Sequence, residues 1–228
     1  MFKDVSILIP YKPDNGPRDA AFKWIKLYLM NMMPNAEICL GSCDTKLFSR
    51  SEAINEAAKK ATRDIYVISD ADFFYDPKII TRGIDLLKEH AWIIPYNRIH
   101  YIQPGSTKKI IESNPIWPLS VKVESHLENR EKVGGLNIIP RKYFEEVGGF
   151  DERFIGWGLE DRAFANTVNT ICGNFARMDA EVFHLWHSTQ NVENNPNYHD
   201  SRLLFQRYLQ ATGDKEKMRK VIQEKRQS

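Results

Sequence analysis

"YVISDADFF", residues 66–74, is the stretch that decides the fold class. An apolar run ends in Asp70 and Asp72, two positions apart, and a pair of phenylalanines follows. The run at 64–69, "DIYVIS", has the composition of a strand buried on both faces. In an open parallel sheet, ligands gather beyond the carboxyl ends of the strands, so both acids fall where a binding site is expected. Two carboxylates there can hold a hard divalent cation, which in turn neutralises a diphosphate. The same D-x-D also occurs as a solvated turn with one Asp as a cap, so its meaning depends on what surrounds it.

Working outward, strand and helix signals alternate. "VSILIP" at 5–10 is a strand. Residues 18–33 place Ala21, Trp24, Ile25, Tyr28 and Leu29 at helical spacing, with Pro34 just beyond. "AEICLGS" at 36–42 is a second strand, and "SRSEAINEAAKKA" at 49–61 a helix capped by Ser49 or Ser51. After the strand at 64–69, "DPKIITRGIDLLKEH" opens with Asp76 as cap and Pro77 at the first helical position, and "AWIIPY" is a fourth strand. Such alternation predicts an α/β fold with a mostly parallel sheet flanked by helices. Residues 97–131 are polar and proline-punctuated and read as an irregular region over one face. "GGLNIIPRKYFEEVGGF" at 134–150 predicts a strand, a turn and a short helix. A helix follows at 159–172, ended by Gly173, and "FARMDAEVFHLWH" predicts two short strands. Six of the twelve glycines lie between Gly134 and Gly158, a density expected where backbone approaches a ligand.

Composition narrows the class. Over 228 residues, 42% are hydrophobic and 27% charged, as in ordinary globular domains, and no boundary composition divides the chain, so one domain is expected. A net charge of +2 argues against a dedicated nucleic-acid binder. No run of about 18 apolar residues exists and the first residues lack a signal-peptide layout, so a cytoplasmic location is expected. Cys39, Cys43 and Cys172 form no paired framework and read as free thiols. At 214–228, six Lys or Arg stand against three acids, a basic tail able to touch a membrane surface or to lie as a solvated helix.

Two enzyme classes that carry D-x-D fit poorly. Phosphatases with a nucleophilic Asp place it after the first strand, not the third. Sugar nucleotidyltransferases open on a glycine-rich loop, which "IPYKPDNGPRD" is not. The ordered set "VSILIPYK", "SRSEAINEA", "VISDADFF", "GGLNIIPR", "GGFDERFIGWGLEDRAF" and "HLWHS" instead resembles GT-A fold glycosyltransferases. It is most similar to the branch of β-1,4-galactosyltransferases, polypeptide N-acetylgalactosaminyltransferases and bacterial chondroitin-type polymerases.

The resemblance implies a nucleotide-binding half at 1–96, an acceptor and metal half at 97–200 and C-terminal helices at 201–228. It implies a UDP-sugar donor, with Tyr11, Arg18, Asp44, Arg50, Asn55 and Asp70 at the nucleotide. Mn²⁺ or Mg²⁺ would be held by Asp72 and His187, with His184 where galactosyltransferases carry a metal-binding methionine. On a strand, residues three apart point to opposite faces unless the backbone bends, which counts against His184. Gly134 and Gly135 would let backbone amides approach the sugar. Trp157, between two glycines, would cover the donor and offer an indole platform. Asp161 would be the general base and Glu160 an acceptor contact, both kept ionised by the helix amino terminus. Ala163 departs from the galactosyltransferase pattern, where a further acid is common. Implied acceptors are a glycan, a lipid-linked sugar, a protein or a modified nucleobase. Transfer is expected with inversion. A retaining transferase, a non-catalytic nucleotide-sugar or glycan-binding module and metal-dependent phosphoryl chemistry are the alternatives.

Overall fold

The computed structural model describes residues 1–43, 47–129, 132–156, 158–188 and 195–227, with Arg226 and Gln227 described by backbone alone. The candidate residues Asp44 and Trp157 lie outside them. The chain runs β1 (Val5–Pro10), α1 (Pro17–Met32), β2 (Glu37–Gly41), α2 (Arg50–Lys60), β3 (Ile65–Ser69), β4 (Phe73–Phe74), α3 (Lys78–Leu86), β5 (Trp92–Ile94) and β6 (Arg98–Ile102). It continues with α4 (Pro104–Ile111), β7 (Ser125–Asn129), β8 (Leu136–Pro140), α5 (Arg141–Glu146), α6 (Glu160–Ile171), β9 (Phe175–Arg177), β10 (Glu181–His184), α7 (Tyr198–Ala211) and α8 (Lys215–Gln227).

Six strands form the main sheet in the order β2-β1-β3-β8-β5-β9. β1 pairs in parallel with β2 and β3, and β5 with β9, while β8 enters antiparallel between β3 and β5. Every residue of β1 is buried, as a central strand covered on both faces requires. α2 lies so close on β2 that a Cβ at Gly41 would sit 1.7 Å from the Ala53 carbonyl oxygen, so only glycine fits there. Ser49 caps α2, its Oγ accepting from the Glu52 amide at 3.3 Å. The cap and the close approach fix Arg50, the first residue of α2, at the carboxyl edge of the sheet.

A second sheet, β4-β10-β6-β7, abuts the first. β3 belongs to the large sheet and β4 to the small one, so Asp70, Ala71 and Asp72 form the corner between them. An aromatic cluster seals that corner: Phe74 stacks on Phe183 at 5.0 Å and meets Trp24 and Tyr28 edge-on. β6, α4 and β7 correct the reading of 97–131 as irregular. Arg98, His100 and Tyr101 are only partly buried, whereas Ile99 and Ile102 are buried. β10, the parallel partner of β6, is about eighty residues away in sequence, so local pattern gives little sign of the pairing.

The basic tail is helix α8, whose Met218, Val221 and Ile222 are buried in the core. All three cysteines are free. Among the described residues no helix is long and apolar enough to cross a membrane.

Candidate functional site

The corner loop is held from both sides. The Asp70 amide donates to the Gly135 carbonyl at 2.9 Å, and the Leu185 amide donates to the Asp72 carbonyl at 2.9 Å. Asp70 and Asp72 therefore stand between the glycine pair before β8 and the segment leaving β10, and their side chains enter different surroundings.

On one side, Asp72 meets two imidazoles. Its Oδ2 lies 3.0 Å from His187 Nε2 and its Oδ1 lies 3.6 Å from His184 Nε2. One ligand atom from each of the three residues falls within 4.8 Å of the others, a grouping that can hold a metal ion. β10 ends at His184, so the chain bends before His187 and both rings reach one point. His187 Nδ1 is 2.9 Å from the Ser188 carbonyl. Donation there turns Nε2 towards Asp72, where it holds a proton shared with the carboxylate and would ligate a metal ion once that proton is displaced. Burial opposes ionisation of Asp72, but His184, His187 and Arg18 outweigh it and hold the carboxyl down at about 2. Burial lowers the His184 pKa below the usual imidazole range. It opposes the shift at His187, where the hydrogen bond and charge of Asp72 prevail and raise the pKa. Arg18 Nη2 approaches His187 Nδ1 at 3.4 Å, at the edge of hydrogen-bonding distance.

On the other side stands Arg50, almost wholly buried. Its Nε donates to Asp70 Oδ1 at 2.8 Å and its Nη1 to Asp161 Oδ1 at 2.5 Å. Its Nη2 is buried without a partner among the described residues. An orphaned donor of this kind fits a polar ligand group, because a buried N–H left unpaired is costly. Burial pushes Asp70 up to about 6 against Arg50, with repulsion from Asp72 and Asp161 adding to the rise.

Asp161 and Glu160 open α6. Leu159, just before them, holds φ at +76°, a left-handed conformation uncommon for a residue with a Cβ. Gly134 packs directly on the Asp161 carboxylate: a Cβ there would lie 2.0 Å from Oδ2. The Gly158 amide donates to Glu160 Oε2 at 3.0 Å. Glu160 corrects the expectation that the helix terminus keeps both acids ionised. Burial and the Asp161 charge push its carboxyl up to about 7, outweighing Arg50 and the nearby amides.

The structure brings Arg50, Asp70, Asp161 and Gly134 together on one side, and Asp72, His184, His187 and Arg18 on the other. Gly135, at φ +86°, lies under Phe73. Tyr11 sits at the end of β1, its hydroxyl donating to Asp19 Oδ1 at 2.5 Å. Asn55 is corrected. Its Nδ2 donates to the Phe150 carbonyl and to Glu152, and its Oδ1 accepts from the Phe150 amide, so its amide ties α2 to the loop after α5. Sequence reasoning missed Tyr96, whose hydroxyl donates to the Gly134 carbonyl beneath Asp161. Its place at the end of a buried strand, on the edge that carries Asp70, was the available signal.

Residues 119–189, which carry Gly134, Glu160, Asp161, His184 and His187, match a family described as the N-terminal domain of galactosyltransferase. The chain is similar to the catalytic domain of Drosophila beta1,4-galactosyltransferase 7, solved with xylobiose, at 16% identity and a TM-score of 0.51. That match covers 87% of this chain and 79% of the other. It is also similar to GalNAc-T7, solved with UDP, GalNAc and Mn²⁺, at 12% identity and a TM-score of 0.52, over 97% of this chain and 54% of that one. Comparison with curated protein sequences found no match. The fold is therefore GT-A. The galactosyltransferase-type segment at 119–189 adds a likeness to that family over about a third of the chain.

Proposed function

We propose that this chain transfers a sugar from a UDP-sugar to an acceptor hydroxyl with the help of Mn²⁺, inverting the anomeric centre. The observation that carries the proposal is the adjacency of two unlike half-sites on one corner loop. One is the Asp72, His184 and His187 group, and the other is the buried Arg50 bridging Asp70 and Asp161. One carboxylate and two imidazoles suit Mn²⁺, which accepts both oxygen and nitrogen donors. Bound there, the ion would supply charge stabilisation to a departing diphosphate. The Mn²⁺ and UDP present in the GalNAc-T7 structure support the same donor class.

The chain's own residues supply the rest. Arg18, beside His187, adds positive charge at the diphosphate edge. Arg50 Nη2, lacking a partner, offers a hydrogen bond to a hydroxyl of the donor sugar. Asp161, paired with Arg50 and packed on Gly134, takes the proton from the acceptor hydroxyl as that oxygen attacks the anomeric carbon. Glu160, its carboxyl raised by burial and by the Asp161 charge, would meet the acceptor with a hydrogen bond. The carboxylate of Asp161, paired with Arg50 and packed on Gly134, favours this reading over a non-catalytic binding module.

The test is Asp161→Asn. Transfer from UDP-sugars should fall by about 10²–10⁴, while UDP affinity in Mn²⁺, measured by calorimetry, should change by less than about threefold. Full transfer activity in the variant would remove Asp161 from the base role.

A further inference from the structure

A recess of about 320 Å³ lies beside the metal-type cluster, lined by Tyr101, Ile102, His184, Trp186, His187 and Ser188. Its volume is at the lower end of the range for small-molecule sites, about 300–1,000 Å³. Trp186 is 41% exposed, unusual for the largest apolar side chain in a fold that buries most of its aromatics. Its backbone is anchored, because its amide donates to Thr107 Oγ1 at 2.9 Å. Tyr101 lines the same recess, its ring 5.2 Å from that of His184. An exposed indole beside a half-buried phenol, in a largely apolar recess, suits the C–H face of a sugar ring.

A cation stands next to these rings. Lys132 donates to the Tyr101 hydroxyl, and its ammonium lies 5.0 Å from the Tyr101 ring centroid. Lys132 is two residues before Gly134, the glycine against which the Asp161 carboxylate rests. A continuous line thus runs from Asp161 past Gly134 and Lys132 to Tyr101 and the Trp186 recess. An acceptor that presents its hydroxyl to Asp161 would have that line to extend along.

We propose that the acceptor is an acidic glycan, its sugar ring carried by Trp186 and Tyr101 and its anionic group, a uronate carboxylate or a sugar phosphate, paired with Lys132. This assignment rests on the transferase reading above and names the substrate class of that site. Burying an ammonium against an aromatic ring strengthens its pairing with an anion relative to one in open water.

The test compares matched acceptors with Mn²⁺ and a UDP-sugar donor. Uronic-acid oligosaccharides are paired with their methyl esters, and phosphorylated sugars with their dephosphorylated forms. The intact protein should prefer one acidic series over its neutral partner by about tenfold or more in kcat/KM, and the preferred series identifies the anion. Lys132→Met should bring that ratio close to one, chiefly through KM, and Lys132→Arg should restore most of it. Trp186→Ala should raise KM for both members of each pair. Turnover with equal preference for acidic and neutral acceptors would overturn the inference while leaving the transferase reading standing. So would a Lys132→Met protein that loses UDP affinity and slows on all acceptors alike, since Lys132 would then serve the donor. If no UDP-sugar is turned over with any acceptor or hydrolysed, both readings fail together.

Discussion

Asp70 and Asp72 leave the same corner two residues apart, yet they face opposite neighbourhoods. Asp72 looks onto two imidazoles with Arg18 beyond them, and it is held ionised far into acid. Asp70 shares one guanidinium with Asp161 while two other carboxylates repel it, and its carboxyl rises to about 6. One half-site gathers a carboxylate and two imidazoles into a donor set for a metal ion. The other is crowded with acids around a single buried cation. The lesson is that D-x-D is not one functional unit: the residue between the two acids turns the second carboxylate towards a different set of elements.

Removing Asp72 should have the largest effect. Asp72→Asn takes away the anion between His184 and His187, and Mn²⁺ affinity measured by calorimetry should fall by more than about a hundredfold. Loss of a supporting outer-shell partner alone costs 10–100-fold. Retained Mn²⁺ affinity would mean that the imidazole side is not the metal side.

Arg50→Met tests the other half. It strands Asp70 and Asp161 without their shared cation, and breaking a buried pair by removing one partner costs about 3–5 kcal/mol. Chemical denaturation should report a loss of that size, smaller at acid pH where Asp70 is protonated. An unchanged midpoint would show that the bridge carries no stability.

A finer contrast lies in pH dependence. The folded pKa values of Glu160 and Asp70 are raised, so the folded chain keeps protons that the unfolded chain has released. Their contribution to stability is full below the ordinary carboxylate range and is lost as pH rises through about 6 and about 7. Asp72 runs the other way: its contribution is present above the ordinary range and is lost as pH falls towards about 2. Glu160→Gln should therefore flatten the decline in metal-free stability between about pH 4 and 7, by on the order of 3 kcal/mol. Parallel wild-type and variant curves from thermal melts across that range would contradict the assignment.

Much of the fold was legible because it is local. β1, β3 and β5 are short apolar runs bounded by polar turns, α3 begins just after Asp76 and Pro77, and α6 begins at Glu160 within the predicted helix. β6 and β7 were not legible, since their half-polar sequences become strands only by pairing with each other and with β10. The same distinction holds in the site. Carboxylates after a buried strand and imidazoles after another can be found by pattern, whereas the engagement of Asn55 with the Phe150 backbone and Glu152 cannot. Nor can the recess beside Trp186 be read from sequence, because its walls come from segments more than eighty residues apart.

The sequence by itself determined the α/β alternation, the sheet edge at which the acids emerge, and the residue types available there. Only the tertiary structure decided which acid faces which cation, that Arg50 is shared, and that burial raises the Glu160 carboxyl against the charge its helix position favours. The physical reason is range. Strand and helix signals act over a few residues, whereas burial and Coulomb interaction depend on groups that folding brings together from distant parts of the chain.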